Sequence, residues 1–213
     1  MKKIYILYLC LFLGLSLTGC HKSHEEEIRS SVSSYFSAIQ SGKYEDALKY
    51  TVGKSSLKDN FGFDDINNSV KDLKESSMGK VYDQEAAKFS TYILTKTIAS
   101  YTIGNIEENS NEAIVSISGK CLDFDTFETS IPEDELDTLF NTYFEKHEDE
   151  LKKLLSEKGE DAVNQYIIDA CVPLLFDQMK TAADSASYRN FKMQITLEEN
   201  DGQWKISQIE EVL

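Results

Sequence analysis

Proline and glycine are scarce in this chain of 213 residues, with two of the first and ten of the second. Few positions can therefore break a helix or force a left-handed turn, and long regular elements are expected. Histidine is scarce as well, at three residues, and no Cys or His pair has zinc spacing. There is no glycine-rich loop to cradle a phosphate and no Gly-x-Ser-x-Gly elbow to carry a nucleophile. Neither a metal nor a cofactor is implied. Bases are in short supply against acids, 22 to 37, for a net charge of −15. Such a surface repels phosphate backbones, which excludes nucleic acid as a partner, and it repels anionic lipid head groups. What the chain does have is an ordinary apolar share, 41%, and enough length for one sizeable core.

The first twenty residues carry the sharpest signal. Met1-Lys2-Lys3 is a short positive start, and Ile4 to Leu17 is a nearly unbroken apolar run, interrupted mainly by Gly14 and Ser16. That run falls short of the roughly 20 residues that span a bilayer, so it has the layout of a secretory signal rather than of a structural helix. It ends in Leu17-Thr18-Gly19-Cys20. This motif resembles the lipobox of bacterial lipoproteins, in which small residues fit a narrow peptidase cleft and the Cys thiol carries a diacylglycerol. The resemblance implies a signal peptide over residues 1–19, cleavage after Gly19, lipid on Cys20 and a place on the extracytoplasmic face of the cell membrane. Loss of Lys2 and Lys3 with the leader takes the net charge from −15 to −17. Residues 20–27 then form a polar tether. His21, His24 and the run Glu25-Glu26-Glu27 are metal-ligating types, but their local spacing fixes no geometry. A solvated linker leading into a helix is expected.

The remainder, residues 28–213, reads as a single α+β domain. Ile28, Val32, Tyr35, Phe36 and Ile39 recur at helical spacing within residues 25–40, and Ser41-Gly42 supplies the stop. A short helix follows over Tyr44 to Tyr50, a further helix is suggested over Asp64 to Lys74, and Asp83 to Thr95 has helical spacing. The period then changes to two. Tyr101, Ile103 and, less neatly, Ile106 make one strand, Asn109-Ser110-Asn111 a turn, and Ala113, Val115 and Ile117 a second strand reaching about Phe124. Pro132 and the acids after it open a long helix with a stripe of Leu136, Leu139, Phe140, Tyr143, Phe144, Leu151, Leu154 and Leu155. After Gly159 a second helix runs to about Ala183, with Val163, Tyr166, Ile167, Ala170, Cys171, Leu174, Leu175 and Met179 inward and a kink expected at Pro173. Strict alternation of Phe191, Met193, Ile195 and Leu197, the turn Asn200-Asp201-Gly202, and then Trp204, Ile206 and Ile209 close the chain as a hairpin.

Two segments resemble one family. Ser41-Gly42-Lys43-Tyr44-Glu45-Asp46-Ala47-Leu48 is similar to the opening of NTF2-like domains, and Asp201-Gly202-Gln203-Trp204-Lys205-Ile206 to their last hairpin. Many secreted lipoproteins of Gram-positive bacteria, often known only as domains of unknown function, share both. The resemblance implies a curved antiparallel sheet packed on N-terminal helices, forming a cone with an apolar pocket. The helical insert over residues 132–187 departs from that pattern and is placed to fill or cap the cone.

Individual residues give no reaction. His147, among Glu145, Glu148, Asp149 and Glu150, needs an orienting partner and a pocket to act as a base; a helix-surface histidine is the plainer reading. Cys121 and Cys171 remain once Cys10 leaves and Cys20 is acylated. Either they pair, closing a loop that would stabilise by about 4 kcal/mol on the chain-entropy model, or they are two buried thiols. Asp123-Phe124-Asp125 with Glu128 has part of a calcium loop but lacks its Gly and later ligands. Asn67-Asn68-Ser69 has the form of a glycosylation sequon. The aromatics Tyr35, Phe36, Phe140, Tyr143, Phe144, Tyr166 and Trp204 sit at core spacing. The expected function is non-catalytic: a membrane-anchored domain that binds a small apolar molecule, a peptide or an envelope protein. The alternatives are a pocket enzyme of NTF2-like type, an isomerase or hydrolase, and an envelope-assembly protein. The last predicts exposed apolar residues on the insert.

Overall fold

The computed structural model describes residues 24–53, 79–129 and 133–212. The motif Leu17-Thr18-Gly19-Cys20, the helix suggested over Asp64 to Lys74, the sequon Asn67-Asn68-Ser69, Pro132, and the side chains of Glu128, Leu136 and Leu139 lie outside the described residues.

Helix α1, Glu25–Gln40, forms where the helical period predicts it, and buries Ile28, Val32, Tyr35, Phe36 and Ile39. Gly42, with φ of 69°, closes it: Lys43 N–H returns to Ala38 O at 2.9 Å, a turn that favours glycine. The one-turn helix α2, Tyr44–Ala47, continues as a 3-10 turn over Leu48–Tyr50. Helix α3, Lys80–Thr97, leads directly into β1, Ile98–Asn109, which pairs with β2, Glu112–Leu122. A bulge between Ile103 and Ile106 explains why Ile106 falls out of the strict alternation.

The second strand stops two residues before the expected Phe124. Phe124–Thr129 is instead the helix α4. Asp123 ends the strand by two backbone-linked contacts: its N–H donates to Ser187 O at 3.0 Å, and its own carbonyl accepts from Phe127 N–H at 3.0 Å. Its carboxylate accepts from Ser187 Oγ at 3.3 Å, so Asp123-Phe124-Asp125 joins β2 to a helix start instead of forming a loop for calcium.

Helices α5, Glu133–Lys158, and α6, Glu160–Ser185, make an antiparallel hairpin about Gly159. The chain returns through β3, Tyr188–Asn200, and β4, Gln203–Glu211, across a tight turn in which Asp201 and Gly202 both have positive φ. The sheet is antiparallel throughout, in the order β1-β2-β3-β4. The fold is therefore α+β, a four-stranded antiparallel sheet with helices.

Two apolar clusters hold these elements. One lies between α1 and the sheet: Phe36, Ile28, Val32 and Ile39 against Val115, Phe191, Met193, Ile195, Leu197 and Ile206. The other joins α3, α4 and α6 beyond the end of the sheet, through Tyr82, Phe89, Phe127, Val172, Phe176 and Ala183 with Leu122. Residues of α3 enter both, Leu94 the first and Phe89 and Ile93 the second.

Each edge strand of the sheet is met over a short stretch, which blunts part of that edge. Val52 N–H donates to Ile206 O of β4 at 2.8 Å. On β1, the Arg29 guanidinium donates to the carbonyls of Ile103 and Gly104, each at 3.3 Å.

Candidate functional site

The space where a cone pocket was expected is occupied by side chains. Phe36 from α1 stacks on Tyr101 at 4.7 Å between ring centres, with Tyr35 edge-on to Phe36 at 5.4 Å. Phe191, Met193, Ile195 and Leu197 of β3 are all buried beneath them. Among the described residues this cluster buries no Asp, Glu, His, Lys or Arg side chain; its buried titratable groups are the phenol of Tyr35 and the thiol of Cys121.

Three surface features remain. The first is at the start of α1. His24, expected in a solvated tether, is held down instead. Its Nδ1–H donates to Glu108 Oε1 at 2.6 Å and its backbone N–H to Glu108 Oε2 at 3.0 Å, while its ring tilts against Trp204 at 5.8 Å. The hydrogen bond to Glu108 raises the pKa of His24, partly opposed by desolvation, and Glu27 and Glu199 add to the rise. The sequence offered no sign of this, because Glu108 is 84 positions away. Beside it lies an open cleft of about 540 Å³ between α1 and the last turn, with Glu26, Ser30, Lys49, Tyr50, Gln203 and Lys205 on its walls.

The second feature is the outer half of the helical hairpin. The stripe on α5 was expected to be core, and no described residue of that helix is buried. Phe140, Tyr143, Leu151 and Leu154 are half-buried, while Phe144 and Leu155 are 38% and 48% exposed. On α6 the inward face is displaced from the expected stripe. Val172, Phe176, Ala182 and Ala183 are buried with Cys171, whereas Leu174 is 37% exposed. The reason is that α6 packs on two sides, with α3 on one and α5 on the other. Its best-buried residues face α3, and among the described elements α5 packs chiefly on α6.

The third feature surrounds His147. The structure supplies an orienting partner, since Nδ1 lies 3.1 Å from Glu150 Oε2 and the ring stacks on Tyr143 at 4.3 Å. Tyr166 of α6 completes the cluster. Hydrogen bonds to Tyr143 and then to Glu150 raise its pKa, and those from His147 and Tyr166 lower that of Glu150. An open groove of about 610 Å³ runs past Tyr143, His147, Lys146, Leu174 and Gln178. Glu150 is 57% exposed, so water screens this pair, and the arrangement resembles a helix-surface network more than a desolvated acid–base site.

Cys121 and Cys171 are not paired. Each is free and buried, Cys121 in β2 opposite Arg189 and Cys171 on α6. Burial raises the pKa of both thiols, which makes them poor nucleophiles. Leu122 and Phe127 pack on Val172 and Phe176, which ties the strand hairpin to the insert. Among the described residues no group of three or more His, Cys, Asp or Glu is placed to hold a metal ion. Among the same residues no helix is long and apolar enough to cross a membrane.

The class these observations define is an α+β domain whose inner sheet face is packed against α1 and whose helical hairpin is incompletely covered by the described residues. No protein-family model and no curated protein sequence matches the chain. Among solved structures it is similar to that of a candidate lipoprotein (ycdA) from Bacillus subtilis, at 15% identity and a TM-score of 0.42. The likeness covers 84% of this chain and 51% of the other, so this chain spans about half of that protein's length.

Proposed function

We propose that this chain is an extracytoplasmic lipoprotein whose folded part, a variant of the NTF2-like domain, binds a partner and catalyses nothing. Residues 1–19 are its signal peptide, Cys20 carries lipid, and the expected tether of residues 20–27 shortens to end at His24, where α1 opens the domain that runs to 213 with its insert at 132–187. The observation that carries the anchoring is Leu17-Thr18-Gly19-Cys20 at the end of the apolar run. Two or three acyl chains hold such a domain at a membrane, since each buried CH2 contributes about 0.8 kcal/mol.

The binding half of the reading rests on Phe144, Leu155 and Leu174, exposed on a helical hairpin that the other described residues leave half-covered. An envelope protein or peptide with an apolar face suits that surface. A small apolar ligand suits it less, because a flat helix pair encloses little. The pocket-enzyme alternative draws less support, since Phe36, Tyr101 and Phe191 pack into the apolar cluster between α1 and the sheet.

Replacing Cys20 with Ser tests the anchor. The variant should leave the membrane fraction or persist as a larger, uncleaved precursor. If it stays with the membrane at the mature size, lipid on Cys20 is not what holds the protein.

A further inference from the structure

The tether and the helical hairpin leave the sheet from opposite ends. Both β-turns, Ser110-Asn111 and Asp201-Gly202, lie at one end, side by side, because Glu199 N–H donates to Asn111 O at 2.9 Å. His24, the residue that opens α1, is fixed there by Glu108, next to the first turn, and by Trp204, next to the second. The other end of the sheet carries the roots of α3, α4 and α6. There Leu122 pairs with Tyr188, Asp123 bonds to Ser187, and α3 enters β1 at Ile98. Strand β2 separates the two ends by 11 residues, about 35 Å at the usual strand rise. Helix α6 comes to that far end with its buried residues against α3 and Phe127 and none against α1. Its outer half, toward Gly159, buries nothing.

Only four peptide steps separate Cys20 from His24. Fully extended they reach about 14 Å. We infer that, once anchored, the domain stands on its two β-turns, with the α5–α6 hairpin presented on the side away from the bilayer. The inference rests on the lipid anchor proposed above. The body's net charge of −17 keeps it from lying flat on an anionic surface. The exposed apolar residues of the hairpin are then offered to a partner standing off the membrane, and neither to lipid nor to a protein flush with the membrane plane.

The test uses the full-length lipidated protein in phosphatidylcholine–phosphatidylglycerol vesicles that carry an acceptor-labelled head group. A fluorescent amino acid is placed at Asn200, beside the last turn, or at Ser156, near the hairpin tip. Both positions are exposed. Energy transfer to the bilayer should be severalfold stronger from position 200 than from position 156. A variant with both His24→Ala and Glu108→Ala should narrow the gap by freeing the tether's last fixed point. Equal transfer from the two positions, or stronger transfer from 156, with protein that floats with the vesicles, overturns the orientation and leaves the anchor standing. Protein that does not float, or a Cys20→Ser control that floats equally well, overturns the anchor and the orientation together.

Discussion

At the scale of single residues, His24 shows how a group assigned to a linker becomes part of the fold. Its pKa is raised above 6.5 in the folded protein, chiefly by the hydrogen bond to Glu108. A base with a raised folded-state pKa stabilises in its protonated form. That contribution is fully present below the unfolded value and is lost as pH rises through the folded one. The domain should therefore lose stability on going from mildly acidic to mildly alkaline solution. A His24→Ala variant should show a flatter dependence over the same interval, measured by urea unfolding at each pH. Parallel curves for the two proteins would mean that the Glu108 contact carries no proton linkage. Gly119 makes a different point. It lies on the inward face of β2, where an added Cβ would stand 2.1 Å from Ser100 O and 2.9 Å from the Phe191 ring. The residue is there to let Phe191 under the sheet. Gly119→Ala should cost about 3 kcal/mol, since a packed strand must move to admit the methyl, and a urea midpoint unchanged from the parent would contradict this. Neither role was legible in the sequence, because each depends on a residue far along the chain.

At the scale of elements, local periodicity located most helices and strands, and failed in a consistent way on which face is buried. Alternation along β3 identified Phe191, Met193, Ile195 and Leu197 correctly, because a strand in this sheet has one apolar face and one wet face. The three-residue step from Ile206 to Ile209, irregular for a strand, is absorbed by a bulge at Ser207 of β4, opposite Thr196 and Leu197. The stripe on α5 has equally clear periodicity and is not core, since periodicity reports an apolar face without saying what covers it. That distinction is testable. Replacing Phe144, Leu155 and Leu174 together by Ser should change the urea midpoint little, by analogy with surface substitutions of about 0.5 kcal/mol or less each. It should also lower the fluorescence of Nile red bound to the native domain. A large fall in stability with no change in dye binding would place these residues in a core and remove the surface proposed for a partner.

At the scale of the whole molecule, the sequence foretold an α+β chain with a terminal hairpin and a helical insert, but not its division into two apolar clusters. The cluster under the sheet draws on α1 and all four strands, and the other on α3, α4 and α6. These pairings join segments separated by up to about the full length of the domain, which local spacing cannot encode. The division has a consequence for dynamics. Central strands β2 and β3 are bonded on both sides and lie over the larger cluster, so their amides should open only with global unfolding. Helix α5 has no buried side chain among those described and packs on α6 alone to any extent, so its amides should open by local fraying at far lower free energy. Hydrogen exchange followed by mass spectrometry on the soluble domain should rank peptides of α5 fastest, the α6 segment around Phe176 intermediate, and β2 and β3 slowest. Binding of the partner proposed for the hairpin should then slow α5 first, because ordering a frayed amphipathic helix against an apolar surface is where protection has most to gain. Equal protection of α5 and β2 in the free domain would mean that the hairpin is already held by contacts as good as those of the core, and it would leave no incompletely covered face for a partner to complete.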